Sequence, residues 1–153
     1  MEVAIYQHIL IAVDGSSLSE HAVTEGLKLA KALGARVTIF TATEQFSSLG
    51  DVGHAFAGAP EPVRHQARDY LEAQARTAQA RACAAAAAAG VKAEALLAES
   101  DHPHQAIIEA AKAKAADLIV MASHGRRGVT AVLLGSVTHK VLTHSELPVL
   151  VCR

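Results

Sequence analysis

The residues best placed to do chemistry fall in one stretch, MASHGRRGVTAVLLGSVTHKVL, Met121 to Leu142. Gly125 and Gly128 let a backbone come close to a ligand. Arg126 and Arg127 carry fixed positive charge and forked donors suited to phosphate oxygens. Gly135 and Ser136 stand where a helix would begin. There the first N–H groups, those of Ser136, Val137 and Thr138, have no helical partner and sit at the positive end of the dipole. The hydroxyls of Ser136 and Thr138 are further possible donors. The chemistry suggested is the holding of an anion, most naturally a phosphate. The same spacing also suits an ordinary helix start preceded by a solvated Arg-tipped loop, and spacing alone does not separate the two. The stretch is not a Walker loop, because no Gly-Lys-Ser/Thr occurs, and the Gly-x-Gly-x-x-Gly of dinucleotide sites is absent as well.

The elements that would position this loop are legible in the hydrophobic pattern. HILIAV (His8 to Val13) is a short run rich in β-branched residues, as expected of a strand buried on both faces. Ser17 and Glu20 have capping-box spacing and predict a helix from about Leu18 to Gly34, with Leu18, Ala22, Leu29, Ala30 and Leu33 on its inner stripe. RVTIFTA (Arg36 to Ala42) is a second strand. Residues 45–62 contain Gly, Ser and Pro without period and suggest a loop long enough to serve as a lid. A long helix follows from Val63 to Ala89. VKAEALLA (Val91 to Ala98) is a strand nearer the sheet edge, and Pro103 opens a third helix. DLIVMA, GSVTHKVLTHS and PVLVC complete the pattern as strand, helix and strand. Strands alternating with helices predict one α/β domain over residues 1–153, with a five-stranded, mainly parallel sheet flanked by helices. Ligands of such sheets bind beyond the carboxyl ends of the strands, where the winding reverses. The polar exits of the first and fourth strands are DGSS, starting at Asp14, and SHGRRGVTAVLLGS, starting at Ser123. By itself Asp14-Gly15 reads more readily as a common turn than as a ligand contact.

Other chemistries find less support. His102 and His104 flank Pro103, and His139 and His144 are five apart, so neither pair has the i, i+4 spacing of a helical zinc site. His124 lies inside the phosphate-type loop. Ser16 and Ser136 lack a nucleophile elbow, and no carboxylate pair has general acid–base spacing. A dedicated enzyme is therefore not expected.

Composition narrows the class. The formal net charge is −1 and the basic residues are scattered, which argues against nucleic acid or an anionic membrane as partner. No apolar run approaches a membrane span, and the acidic start is unlike a signal peptide. Cys83 and Cys152 form no disulfide framework and suit a reducing cytoplasm. With 3% aromatic residues and no Trp, the core must be aliphatic.

HILIAVDGSSLSEHAV, DLIVMASHGRRGVTAVLLGSVTHKVL and LPVLVC together resemble the universal stress proteins over nearly the whole chain. ATP-binding members carry Gly-x2-Gly-x9-Gly-Ser/Thr. Here Gly125, a nine-residue spacer and Gly135-Ser136 match, while Ala122 replaces the first glycine. The resemblance implies a Rossmann-like fold of the adenine nucleotide alpha hydrolase type. It implies ATP as ligand, with Mg2+ or Mn2+ on the phosphates although no protein ligand for the ion is evident. Carried over by position, Asp14 contacts the adenosine, and Ala12 and Ala42 wall the adenine. Met121 and Ala122 lie along the nucleoside, where the Ala122 methyl would crowd the ribose. Gly125, Gly135, Ser136, Val137 and Thr138 cradle the phosphates, with His124 and Arg126 beside them. The resemblance further implies a homodimer paired through strand 148–152, acting as a stress-response switch or sensor on an unidentified signalling partner. A dimeric interaction protein without nucleotide, or a slow ATPase using His124, are the alternatives.

Overall fold

The structure is a computed structural model that describes residues 5–43, 50–125 and 133–153. Its elements run β1 (His8–Ala12), α1 (Ser17–Leu33), β2 (Arg36–Thr43), α2 (Gly50–Ala57), α3 (Glu61–Ala88), β3 (Ala93–Glu99), α4 (Pro103–Ala113), β4 (Leu118–Ala122), α5 (Ser136–His144) and β5 (Val149–Cys152). The five strands form one sheet in the order β3-β2-β1-β4-β5, and every pairing is parallel. The expected alternation and the single α/β domain are both present. The strand order reverses at β1, which lies between β2 and β4. This puts the switch-point crevice at the carboxyl ends of β1 and β4.

Period-two alternation divides the core between the two faces of the sheet. Ile9, Ile11, Val37, Ile39, Val120 and Ala122 point to the layer packed by α1 and α3. Leu10, Phe40, Ile119 and Met121 point to the layer packed by α4 and α5. Ile9, Leu10, Ile11, Ile39, Ile119 and Val120 are entirely buried, each contributing roughly 1.5–3 kcal/mol of apolar burial.

Two local expectations shift. The N-cap of α1 is Ser16, whose side chain accepts from the Ser19 N–H at 3.2 Å, so the cap lies one residue before the Ser17–Glu20 box. The Ser19 hydroxyl is thereby turned inward. The buried stripe is Ser19, Ala22, Val23, Gly26, Leu27 and Ala30, while Leu18, Leu29 and Leu33 are only partly covered. At the other end Gly34 takes the left-handed conformation (φ 67°) and closes the helix, as expected of a C′ glycine. Second, residues 45–62 are not simply a loop: α2 occupies Gly50–Ala57, and α3 begins at Glu61 rather than Val63. Among the described residues no helix is long and apolar enough to cross a membrane.

Candidate functional site

A cavity of about 320 Å³ opens at the carboxyl ends of β1, β2 and β4. Of the residues singled out in the sequence, Ala12, Asp14, Ala42, Met121, Ala122, His124, Gly125, Gly135, Ser136, Val137 and Thr138 all line it. Arg126, with Arg127 and Gly128, lies outside the described residues. The volume falls within the range of small-molecule sites.

Asp14 is set by a short network at the end of β1. Its N–H donates to Ser19 Oγ at 3.1 Å, and its Oδ1 accepts from the Ser16 N–H at 2.9 Å. The hydrogen bonds that shape the turn thus also fix where the Asp14 carboxylate stands. Across the crevice, Gly125 approaches it so closely that a Cβ there would lie 2.6 Å from Asp14 Oδ2. Only glycine leaves that carboxylate where it is.

The second glycine is held by backbone. Gly135 donates to the Ser123 carbonyl at 2.8 Å, and Ser123 donates to the Cys152 carbonyl at 2.7 Å. A Cβ at Gly135 would meet Ser123 O at 3.2 Å and His124 Cα at 3.3 Å. Gly135 is also the N-cap of α5 and, being glycine, brings no capping side chain of its own. The first helical bond runs from the His139 N–H to the Gly135 carbonyl at 2.9 Å. The N–H groups of Ser136, Val137 and Thr138 therefore stand ahead of the helical ladder, on residues that line the cavity.

Two expected side-chain roles change. Thr138 is buried, and its hydroxyl donates to the Ala122 carbonyl at 2.8 Å. That proton ties α5 to the end of β4, which leaves Ser136 as the exposed hydroxyl of the helix start. Ala122 lines the cavity, but its methyl belongs to the layer of Val120 and Cys152 on the α1 face. It points away from the layer that holds Met121 and Ala42. His124 Nδ1 lies 3.0 Å from Ser123 Oγ, and its Nε2 is buried without a hydrogen-bond partner among the described residues.

Besides the polar helix start, the cavity lining is apolar at Ala12, Phe40, Ala42, Ile107 and Met121. Such a lining is chemically suited to a flat, weakly polar group, and the free N–H groups of a helix start are suited to an anion. The sequence reading missed the contributions of α3 and α4, through Leu71, Ala75, Pro103 and Ile107. Ala75, Gln79, Ala82 and Ala86 form a buried stripe at helical spacing, and Leu71 continues it. That spacing was the available signal. Among the described residues no group of three or more His, Cys, Asp or Glu side chains is arranged to hold a metal ion.

Comparison with known proteins now bears on this geometry. The universal stress protein family model matches residues 5–153. The chain belongs to the universal stress protein family. It is 33% identical over 153 residues to the universal stress protein YxiE of Bacillus subtilis, an alignment covering 97% of this chain and all of that protein. Universal stress protein UspA from Lactobacillus plantarum superposes with a TM-score of 0.81 at 25% identity, covering 99% of this chain and 100% of that one. A universal stress protein solved in complex with cAMP has a TM-score of 0.63 at 29% identity, covering 97% of each chain. The family expected from the sequence motifs is therefore the family found.

Proposed function

We propose that this universal stress protein binds an adenine nucleotide, ATP, in the switch-point cavity and acts through a homodimer as a stress-response switch or sensor. One observation carries the reading: the start of α5, a set of apolar side chains and Asp14 at the end of β1 all line a single cavity. A nucleotide has the same division, with an anionic tail, a hydroxylated sugar and a flat base. The cAMP-bound relative supports an adenine nucleotide as the ligand class.

The donor set fits such a ligand. The N–H groups of Ser136, Val137 and Thr138 would take phosphate oxygens, aided by the Ser136 hydroxyl and the helix dipole. Gly125 and Gly135 keep the backbone near enough for those contacts, and Arg126 would add a charge-assisted donor. Asp14 would accept from a sugar hydroxyl through Oδ2, the oxygen that faces Gly125. Ala12, Ala42 and Met121 would flank the base. Mg2+ or Mn2+ would neutralise the phosphates, held by phosphate oxygens and water. Pairing of β5 with the same strand of a second copy would bury the edge of the sheet, where Leu150 is 40% exposed. A change at α5 could then reach the dimer, because Ser123 bonds both Gly135 and Cys152.

The test is direct. Purified protein is denatured, and the supernatant is chromatographed for adenine nucleotide. Nucleotide in a fixed ratio to protein, or saturable rebinding of ATP by the emptied protein, is the expected result. Neither release nor rebinding at millimolar ATP would overturn the reading.

A further inference from the structure

The α3 helix is longer than its work in the core requires. Its buried residues end at Ala75, yet the helix continues for fourteen further residues toward its start at Glu61. Two ion pairs, Glu61–Arg64 and Glu72–Arg76, and a His65–Asp69 contact, each linking residues one turn apart, support that segment from its own surface. Its position on the sheet is set by Gln79, which is buried and donates through Nε2 to the Leu96 carbonyl of β3 at 2.6 Å. Ala75 and Leu71 lie four and eight residues before Gln79, so all three share one face. Both line the cavity. Since α3 packs chiefly on β2 and β3 from the α1 face, they reach the cavity at the end of β2 beside Thr41 and Thr43, away from α5. Leu71 is half-buried, while its neighbour Tyr70 is 64% exposed on the outer face.

From this placement we infer that Leu71 is a specificity-determining residue that roofs the nucleobase, closing the slot opposite the phosphate cradle. The inference rests on the adenine-nucleotide reading above. A leucine at the last turn before a helix leaves the core has unmet apolar surface, and the face of a purine is a flat apolar complement to it. Phosphate or sugar offers no such complement. Leu71 therefore favours ligands with a planar base over inorganic phosphates, and it limits access of water to that base.

The experiment compares wild type, Leu71→Ala and Tyr70→Ala. The last has a matched effect on the same helical turn but faces away from the cavity. ATP affinity is measured by calorimetry, and acrylamide quenching of bound ethenoadenosine triphosphate reports exposure of the base. Leu71→Ala is expected to weaken ATP about tenfold and to raise quenching toward that of free nucleotide. Tyr70→Ala is expected to change neither, and circular dichroism should show equal helix content in all three proteins. Unchanged affinity and quenching in Leu71→Ala, or equal changes in both variants, would overturn the inference and leave nucleotide binding standing. A wild type that binds no nucleotide would instead remove the functional reading on which the inference rests.

Discussion

At the residue scale the site depends on the side chain that Gly125 lacks. A methyl at Gly125 would stand 2.6 Å from Asp14 Oδ2, so Gly125→Ala must displace the carboxylate or the loop. The Asp14 carboxylate is anchored by the Ser16 N–H, which makes displacement unfavourable. Loss of ATP affinity of at least about tenfold is expected by calorimetry. Ala122 behaves differently. Its motif position suggested crowding of the ribose, but its methyl packs with Val120 and Cys152 on the α1 face. Ala122→Gly is therefore expected to leave ATP affinity within about twofold. It should lower stability by about 0.5–1 kcal/mol in urea titration, as glycine does inside a strand. Tighter binding by that variant would restore the crowding explanation. Motif register assigns the position but not which way its side chain points, which the alternation of the strand determines.

At the scale of elements, burial beneath α4 gives the sheet a pH dependence. His8 on β1 is buried, and its Nε2 lies 2.7 Å from Thr38 Oγ1, which in turn donates to Glu94 on β3 at 3.1 Å. Burial, and after it the Arg36 guanidinium, hold the His8 pKa below its usual 6.5. Between the folded and unfolded pKa values the unfolded chain binds more protons, so stability rises with pH there. This contribution is complete above about pH 6.5 and is lost as the pH falls toward the lower, folded value. His104 on α4 is shifted the same way, first by burial and then by Lys140. Urea midpoints are expected to fall between pH 7.5 and pH 5.5, while stability unchanged or increasing over that interval would contradict this origin. The start of α1 provides a second check at this scale. Ser16→Ala removes the cap on Ser19 and is expected to lower stability by about 1 kcal/mol.

Elements were the most legible level of the sequence, and the reasons are specific. HILIA and LIVMA are buried on both faces, so their unbroken apolar runs identify them without any neighbour. The eight-residue α2 has Gly at both Gly50 and Gly53 and follows a polar, Ser-containing stretch, so its local signals favoured a loop. The cap at Ser16 rather than Ser17 follows from Ser19 Oγ accepting from Asp14, a contact that no sequence spacing encodes. Likewise His104 and His144 lie far apart in the chain, yet their rings are 5.6 Å apart because α4 packs against α5. Eleven of the twelve site residues proposed from motif register line one cavity, because the ends of parallel strands gather at the switch point. The roof from α3 was hidden because its helix had no polar motif to draw attention to it.

At the scale of the whole molecule, the functional proposal joins a ligand cavity to an edge strand. β5 is terminal in the sheet and lies one strand from β4, whose exit leads to the phosphate-type loop. If this edge pairs with a second copy, Leu150→Asp is expected to yield monomers at micromolar concentration in sedimentation equilibrium, where wild type sediments as a dimer. A monomeric wild type would remove the dimer from the proposal without affecting the cavity. Binding of ATP in the crevice between β1 and β4 is tested by calorimetric titration of nucleotide-free protein with ATP. Saturable binding at one site per chain, abolished in Gly135→Val, is the expected result. No heat of binding at millimolar ATP, or equal binding by Gly135→Val, would contradict it.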